Sequence, residues 1–362
     1  MFILDGFVLG RKKTGLERHF EQSSKIYQNL AQKLGMDLVI FSRKQNYKCK
    51  KIPTLFLNFT YYFFAGFYIP KDFIFIGLSG LLPIFNLNRY KKVIYLHDLF
   101  WRKNKYKNLK GFVYYFLYNY SIKNSDFIIC ISKKTQLDLK NFYPNLKNKS
   151  IVIYNFIDQQ NKIEPPDKKE NYVISVGMNS LRKNPLICYE IAKKLYQELN
   201  FKWIIIGLTK NIERYFEKKG IQIKKLSFIE ILDEVTDKEL INLYRKSFAS
   251  FIFSKDEGFC YPYLESNINF CLPLCSNIPT LREISGELNS CFFDFPIEPN
   301  KVYEKLFYLK KYDKEYESLL LNGFKNSLRF NKKNYSIFKT NFFWAMNFYI
   351  YFFFSEKYLP SQ

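Results

Sequence analysis

The chain has 362 residues, of which 48% are hydrophobic and 20% aromatic, so it has enough apolar material for two packed domains. Lysine and arginine outnumber aspartate and glutamate by 56 to 33, which gives a formal net charge of +23. The seven scattered cysteines include no Cys-x-x-Cys pair and there are only two histidines, which argues against a disulfide framework or a zinc site.

The sequence contains no segment that is expected to cross a membrane. A spanning helix needs about 20 consecutive apolar residues, whereas Phe59–Ile69 is shorter and Phe342–Phe354 is interrupted by Asn347. Met1–Leu4 runs directly into Asp5, without the basic and apolar regions of a signal sequence. We therefore expect a cytoplasmic protein that contacts a membrane only at its surface.

The positive charge is concentrated in the first half of the chain. Residues 1–160 contain 26 Lys and Arg against 9 Asp and Glu, a net charge of +17, whereas residues 161–362 contain 30 against 24, a net charge of +6. No common nucleic-acid-binding motif is present, so we predict no nucleic-acid partner. Two interpretations stay open: peripheral contact with an anionic inner-membrane leaflet or a lipid-diphosphate acceptor, and the codon bias of a low-GC genome, which explains the total charge but not its asymmetry.

In chain order, the first half alternates apolar runs with amphipathic segments, which is typical of βαβ units. A polar loop at Arg11–Gly15 leads into a helix on which apolar residues from Leu16 to Leu34 recur at helical spacing. Ser132 is a good N-cap for the helix that follows the fifth strand. The predicted strands are Phe2–Leu4, Leu38–Phe41, Phe73–Ile76, Val93–Leu96, Phe127–Ile131 and Ile151–Tyr154.

A polar stretch at residues 156–170 predicts a linker, after which the same alternation resumes. Asn184 is the predicted N-cap of a helix that has Pro185 at its first position, and Thr236–Glu239 reads as a capping box. The predicted strands here are Tyr172–Val176, Trp203–Ile206 and Phe248–Phe253. Both halves thus predict doubly wound parallel sheets, which bind ligands at the carboxyl ends of their strands.

The most informative stretch follows the strand Phe248–Phe253 and contains Glu257 in a loop and Glu265 in a helix that starts near Pro262. The order strand, glycine-bearing loop, helix directs backbone N–H groups and the positive end of a helix at one place, which favours anion binding. Two carboxylates beside such a site suit a ligand with both phosphate and hydroxyl groups, such as a nucleotide sugar. The alternative is a structural turn with two solvated glutamates.

The stretch Asp256–Glu265 resembles the Glu-x7-Glu signature of the retaining family-4 glycosyltransferases, which have the GT-B fold. The resemblance extends over nearly the whole chain and is most specific in residues 172–295. The other matching segments are Val176-Gly177, Arg182–Asn184, Leu240–Tyr244, Pro273–Asn277 and Arg282-Glu283, and in the first half Thr14-Gly15, His97-Asp98 and Ser132.

The resemblance implies an α/β protein of the GT-B fold, with two Rossmann-like domains that face each other across a cleft. Residues 1–160 are expected to form an acceptor-binding domain and residues 161–330 a nucleotide-sugar-binding domain. Residues 331–362 are expected to form a helical segment that returns to the first domain.

The resemblance also assigns roles to individual residues. Glu257 and His97 are expected to contact the transferred sugar and are the candidate catalytic residues. Arg182 and Lys183 are expected to bind the diphosphate, and Glu265 the ribose hydroxyls. The remaining expected donor-binding residues are Gly15, Gly258, Phe259 and Cys260.

The expected reaction needs no cofactor. The sequence contains no Asp-x-Asp, the usual metal–diphosphate motif of the other main glycosyltransferase fold. Fixed cations and helix ends are expected to stabilise the departing nucleoside diphosphate instead, so we predict neither a metal nor another cofactor.

The chain departs from the family pattern after Glu257. Cys260 stands where glycine is usual, and Ser266 stands where a small residue such as alanine is usual. The segment Ser266–Leu272 lacks the expected glycine and places Pro273 one residue late. The fold is expected to accommodate these changes, but they leave the identity of the sugar and the level of activity open.

The predicted function is a retaining, metal-independent transfer of a hexose-type sugar from a nucleotide sugar to a saccharide or lipid-linked saccharide acceptor. The expected pathway is bacterial surface-polysaccharide assembly, of capsule, lipooligosaccharide or O-antigen. Two alternatives stay open: a sugar-nucleotide epimerase that uses His97 and Asp98 as acid and base, and a scaffold of the same fold that has lost transfer.

Overall fold

The structure is a computed structural model and describes residues 1–8, 15–33, 35–42, 49–51, 60–71, 73–103, 109–157, 165–166, 168–286 and 291–331. They divide into two compact units, with the division between Asn155 and Phe156. The predicted C-terminal segment 331–362 lies outside the described residues except for Asn331, and so does much of the predicted linker. What each domain binds stays a prediction.

The first unit is built on a parallel sheet of seven strands in the order β3-β2-β1-β4-β5-β6-β7. The order reverses between β1 and β4, and the carboxyl ends of these strands are where an open parallel sheet binds ligands. The strands are β1 Phe2–Asp5, β2 Leu38–Ser42, β3 Cys49–Lys51, β4 Ile74–Gly77, β5 Lys91–Leu96, β6 Phe127–Cys130 and β7 Ser150–Val152.

The helices of the first unit cover this sheet and bury an apolar core in which Phe41, Phe75 and Leu117 take part. As predicted, Ser132 caps a helix, because its hydroxyl accepts a hydrogen bond of 3.0 Å from the backbone N–H of Thr135. The helices are α1 Gly15–Lys33, α2 Tyr61–Phe64, α3 Phe100–Lys103, α4 Leu109–Asn124 and α5 Lys133–Phe142.

The second unit repeats the architecture with six parallel strands in the order β10-β9-β8-β11-β12-β13. Its order reverses between β8 and β11, which are the strands that precede the two predicted donor-binding loops. The strands are β8 Glu170–Val176, β9 Lys202–Ile206, β10 Ile229–Leu232, β11 Ser247–Ile252, β12 Leu272–Ser276 and β13 Cys291–Phe293.

The helices of the second unit begin close to the predicted positions. The capping box is present, with Thr236 N donating to Glu239 Oε2 at 2.6 Å and Glu239 N donating to Thr236 Oγ1 at 3.3 Å. The helices are α6 Pro185–Leu199, α7 Lys210–Glu217, α8 Asp237–Lys246, α9 Tyr261–Ile268, α10 Pro279–Ser285, α11 Pro299–Lys311 and α12 Asp313–Ser327.

One predicted cap needs correction. Asn184 precedes α6 as predicted, but its φ of +56° is left-handed and its side chain makes no capping hydrogen bond. Asparagine tolerates this conformation better than most residues, so Asn184 shapes the entry into α6 through its backbone. Within the described ranges, no helix is both long and apolar enough to span a membrane.

Candidate functional site

The loop between β11 and α9 carries the buried carboxylate of Glu257, which forms an ion cluster with two partly buried cations from the loop after β8. The carboxylate of Glu257 receives Lys183 Nζ on Oε1 at 2.8 Å and Arg182 Nη1 on Oε2 at 2.7 Å. Ser254 Oγ also donates to Oε1, at 2.7 Å. The structure therefore brings together three of the predicted site residues, although their predicted roles are not tested by this geometry.

The backbone holds the two loops of this cluster in register. Lys255 N donates to Arg182 O at 2.8 Å, and the Arg182 guanidinium in turn donates to the carbonyl of Asp256. From the other side, Thr280 Oγ1 donates to Glu257 O at 2.6 Å. The loop after β8 and the loop after β11 are thus joined at the point where the strand order reverses.

The cluster carries an unbalanced positive charge. Burial by itself raises the pKa of Glu257, but the neighbouring Lys183 and Arg182 outweigh it and lower that pKa to about 2. Burial likewise lowers the pKa of Lys183, whereas the Glu257 carboxylate raises it, and the net shift is upward. One carboxylate thus faces two cations at neutral pH, and the excess of one positive charge favours binding of a further anion.

This arrangement predicts a pH-dependent contribution to stability. The pKa of Glu257 is lower in the folded chain than its ordinary value of 4.5, so its ionic contribution is complete above pH 4.5 and is lost as pH falls towards 2. The contribution is about 3 kcal/mol for a shift of this size. We expect the stability difference between the wild type and Glu257→Gln to shrink over this window in denaturant titrations. A difference that does not change with pH would contradict this assignment.

The second glutamate of the motif lies in α9, as predicted. Glu265 is 8% exposed and accepts a hydrogen bond of 3.3 Å from the hydroxyl of Tyr244 in α8. Glu257 is 5% exposed. Since both carboxylates are buried, the alternative of a turn with two solvated glutamates is wrong.

The residues between Glu257 and α9 show how the chain accommodates its departures from the family pattern. Cys260 has a φ of +76° and Phe270, beyond the end of α9, has a φ of +53°. Both residues thus adopt the left-handed backbone conformation that glycine takes at least cost. Cys260 stands where the family usually has glycine, and Phe270 lies in the segment Ser266–Leu272, which lacks the expected glycine. The buried neighbours Gly258 and Phe259 complete the loop. The ring of Phe259 packs against that of Phe330, with 5.8 Å between the ring centroids.

A pair of substitutions at Cys260 isolates this conformational cost. The Cys260 thiol is buried, and this burial raises its pKa to about 12, so both substitutions remove a neutral buried group. Cys260→Gly is expected to be more stable than Cys260→Ala by about 1 kcal/mol, because only alanine retains a Cβ in the left-handed region. The comparison of unfolding midpoints checks this, and equal midpoints for the two variants would speak against a strained backbone at this position.

In the first unit, the predicted catalytic residue His97 follows β5. Its Nε2 lies 2.7 Å from the carbonyl oxygen of Leu78, which only accepts hydrogen bonds, so Nε2 carries the proton. Burial lowers the pKa of His97 to about 4. His97 is therefore a neutral imidazole above this pH, with Nδ1 as the acceptor nitrogen, and Nδ1 suits a sugar hydroxyl better than a phosphate.

Sequence reasoning missed a second histidine beside His97. The ring of His19 in α1 lies 4.8 Å from the ring of His97 in an edge-to-face arrangement, and its Nδ1 lies 2.9 Å from Asn155 Oδ1. Burial lowers the pKa of His19 well below its usual range, and the nearby His97 contributes. A usable signal was present, because position 19 falls on the same side of the predicted helix as Leu16 and Phe20.

We predict that His19 positions His97 for its predicted contact with the transferred sugar, because the two rings are in contact. We expect His19→Ala to lower kcat of sugar transfer about tenfold, because a mobile imidazole loses its alignment. His19→Phe retains the ring contact and is expected to restore much of the rate. Binding of a nucleoside diphosphate, measured by thermal shift, should be unchanged in both variants, and a lost shift would indicate a general folding defect instead.

Two further predicted positions are placed but not given a role by the geometry. Gly15 is the first residue of α1 and is exposed, while the loop before it lies outside the described residues. Asp98 Oδ1 accepts a hydrogen bond of 3.1 Å from Phe100 N at the start of α3. In the part of the chain that the structure describes, no three His, Cys, Asp or Glu side chains converge into a metal-binding group.

Comparisons with known proteins find similarity to glycosyltransferases. Residues 156–323 match the family model described as Glycosyl transferases group 1. The chain is 30% identical over 219 residues to an uncharacterized glycosyltransferase of Methanocaldococcus jannaschii, covering 60% of this chain and 58% of the relative. It is 27% identical over 169 residues to the O-antigen chain mannosyltransferase RfbU of Salmonella typhimurium, covering 47% of each. The chain thus spans about half the length of the curated relatives it matches.

Solved structures resemble almost the whole chain. Sucrose-phosphate synthase from Thermosynechococcus elongatus aligns with a TM-score of 0.70 and 14% identity, over 95% of this chain and 98% of that one. HepE of Anabaena, solved in complex with UDP and glucose, aligns with a TM-score of 0.67 and 14% identity. The alignment covers 94% of this chain and 98% of HepE.

Two parallel doubly wound sheets and these neighbours define a GT-B glycosyltransferase fold, as the sequence predicted. Residues 156–323 match the model of the glycosyl transferases group 1 family, which confirms the predicted family resemblance.

Proposed function

We propose that the protein is a glycosyltransferase that transfers a hexose-type sugar from a nucleotide sugar to a saccharide or lipid-linked saccharide acceptor. The observation that carries the proposal is the ion cluster of Arg182, Lys183 and Glu257, which lies within the residues that match the glycosyl transferases group 1 model. Its surplus positive charge suits a diphosphate, and its carboxylate suits sugar hydroxyls. Glu265 would accept hydrogen bonds from the ribose.

The cluster of Arg182, Lys183 and Glu257 supports the proposal of a reaction without a metal or other cofactor. Arginine grips two phosphate oxygens at once, and lysine acts as a point charge, so together they stabilise a departing diphosphate in a water-poor site. We propose retention of anomeric configuration by attack from the face of the leaving group, with the departing phosphate taking the acceptor proton. Positioning and charge stabilisation are then the protein's contribution, with no covalent nucleophile.

The proposed setting is the assembly of a bacterial surface polysaccharide at the cytoplasmic side of the inner membrane. RfbU, a relative over about half its length, is named as an O-antigen chain mannosyltransferase. One structural neighbour, WaaG, is described as a glycosyltransferase involved in lipopolysaccharide biosynthesis. HepE was solved with UDP and glucose, so uridine-diphosphate sugars are the first donors to test.

A screen of nucleotide sugars by thermal shift identifies the donor, because a ligand that binds the folded state raises its stability with saturation. The donor found is then incubated with lipid-linked and free saccharides in the presence of a chelator, and NMR of the product gives its anomeric configuration. We expect transfer with retention that the chelator does not abolish. Inversion, or a strict need for added metal, would refute the corresponding part of the proposal.

The same screen separates the two alternatives. An epimerase changes the sugar of its nucleotide donor without any acceptor, whereas a transferase at most hydrolyses the donor slowly. The acid–base pair that an epimerase requires gains little support from Asp98, whose carboxylate accepts a hydrogen bond from the backbone of α3. A scaffold that has lost transfer is expected to bind no nucleoside diphosphate, so the absence of every thermal shift would favour it.

A further inference from the structure

Helix α4 is apolar on two opposite sides. Leu117 and Ile122 are at most 1% exposed and pack in the core of the first unit. On the other side, Leu109 is 79%, Phe112 is 54% and Phe116 is 53% exposed. Their spacing of three and four residues places these three on one side of the helix. A helix that is apolar all round is normally buried all round, so the exposed side calls for a function.

The exposed side of α4 continues onto the neighbouring segment of the first unit. The ring of Tyr120 stacks 6.1 Å from that of Phe116, and its hydroxyl donates to Ile84 O at 2.6 Å. Phe85 follows and is 43% exposed, and its ring lies 5.3 Å from that of Phe67, which is 58% exposed. We call the following six residues the aromatic face: Leu109, Phe112, Phe116, Tyr120, Phe85 and Phe67.

The charge around the aromatic face is predominantly positive, and the nearby carboxylate of Asp126, just beyond α4, pairs with Lys92 at 3.2 Å. Residues 60–71, 73–103 and 109–124 contain eight Lys and Arg and a single acidic residue, Asp98. Lys123 is exposed and lies two turns beyond Phe116 on the same side of α4. Arg89 and Lys91 are exposed in the segment that follows Phe85. Exposed basic residues therefore occur on the same side of α4 as Phe112 and Phe116, and in the segment that follows Phe85.

We propose that the aromatic face docks the protein on an anionic lipid bilayer. Exposed Phe and Leu side chains on a surface helix enter the boundary between headgroups and acyl chains, and a tyrosine such as Tyr120 suits the headgroup level because its ring is apolar and its hydroxyl polar. Exposed lysine and arginine are attracted to anionic headgroups, and the two effects add when they share one surface. Because Leu109, Phe112 and Phe116 lie along one side of α4, docking through them would place this helix parallel to the membrane plane.

The charge pattern distinguishes a bilayer from other occupants of the aromatic face. A protein partner or a second copy of the chain would have to supply acidic groups opposite the basic rim, and residues 60–71, 73–103 and 109–124 themselves hold only one. A bilayer supplies both an apolar layer and a dense anionic surface. The proposal goes beyond sugar transfer and does not depend on it, although docking would bring a lipid-linked acceptor to the enzyme.

Flotation of the full chain with vesicles tests the proposal. We expect binding to vesicles of phosphatidylcholine mixed with phosphatidylglycerol, weak binding to phosphatidylcholine alone, and loss of binding as salt screens the charges. Phe112→Ser combined with Phe116→Ser should weaken binding about tenfold or more, because two exposed rings no longer enter the interface. Arg89→Glu combined with Lys123→Glu should have a comparable effect.

The matched control is Phe307→Ser combined with Tyr312→Ser in the second unit, where each residue is 48% exposed. This pair should leave vesicle binding unchanged. Unfolding midpoints measured for all variants show whether the fold survives. The proposal is overturned if anionic vesicles do not bind at low salt, or if both aromatic pairs weaken binding equally. It is also overturned if Phe112→Ser with Phe116→Ser only dissociates an oligomer, since the aromatic face would then join copies of the chain.

Discussion

Replacing Glu257 with glutamine is expected to lower the rate of sugar transfer by about a hundredfold to a thousandfold. Glutamine preserves the shape of the side chain and one carbonyl oxygen, so the change removes mainly the negative charge. That charge is shared by Arg182 Nη1 at 2.7 Å and Lys183 Nζ at 2.8 Å. Both cations then lose the partner that holds them in place, and in the proposed reaction the sugar loses its expected contact with a carboxylate.

The same substitution is expected to increase the thermal shift that a nucleoside diphosphate produces, although sugar transfer is lost. Without the carboxylate, two cations remain next to each other in a water-poor site, which destabilises the ligand-free protein. A diphosphate then neutralises more charge than it does in the wild type, so its thermal shift should be larger. A merely unfolded variant would show no shift at all.

Glu298→Gln is the matched control for this experiment. Glu298 also forms an ion pair with a lysine, and its Oε1 lies 2.7 Å from Lys301 Nζ. However, the Glu298 side chain is 57% exposed and the Lys301 side chain is 65% exposed. Exposed pairs of this kind contribute little, so neither transfer nor the diphosphate shift should change. Near-normal transfer by Glu257→Gln would remove Glu257 from the site, and a loss in both variants would point to a general effect of charge.

Much of the framework of this site was predictable, because it is local in sequence. The strand Phe248–Phe253 and the helix near Pro262 were visible as an apolar run and a proline-started segment, and the structure has them as β11 and α9. The position of Cys260 was visible as well, since it stands where glycine is usual. That its backbone keeps the left-handed conformation, with φ at +76°, required the structure.

The contacts that give the site its charge were not predictable, because they join distant parts of the chain. Lys183 and Glu257 are 74 positions apart, and His19 and Asn155 are 136 apart. No periodicity or capping rule connects such residues. The strands β3, β10 and β13, each of three or four residues, were also missed.

Replacing Lys183 with alanine is expected to lower transfer about a hundredfold and to weaken, rather than strengthen, the thermal shift with a nucleoside diphosphate. The Lys183 side chain is 16% exposed and lies against the more enclosed Glu257 carboxylate, whose side chain is 7% exposed. Its removal leaves Arg182 as the single cation against Glu257, so the surplus positive charge disappears and the diphosphate loses its electrostatic advantage. The pKa of Glu257 should rise at the same time, since one of the two charges that lower it is gone.

Lys255→Ala is the matched control, because Lys255 belongs to the same loop as Glu257 but its side chain is exposed. Loss of that charge should leave transfer and the diphosphate shift near the wild-type values. The two substitutions at the cluster therefore move diphosphate binding in opposite directions while both reduce transfer. A structural role for the cluster predicts instead that both variants lose binding together with stability, so the sign of the thermal shift decides between a binding site and a structural ion pair.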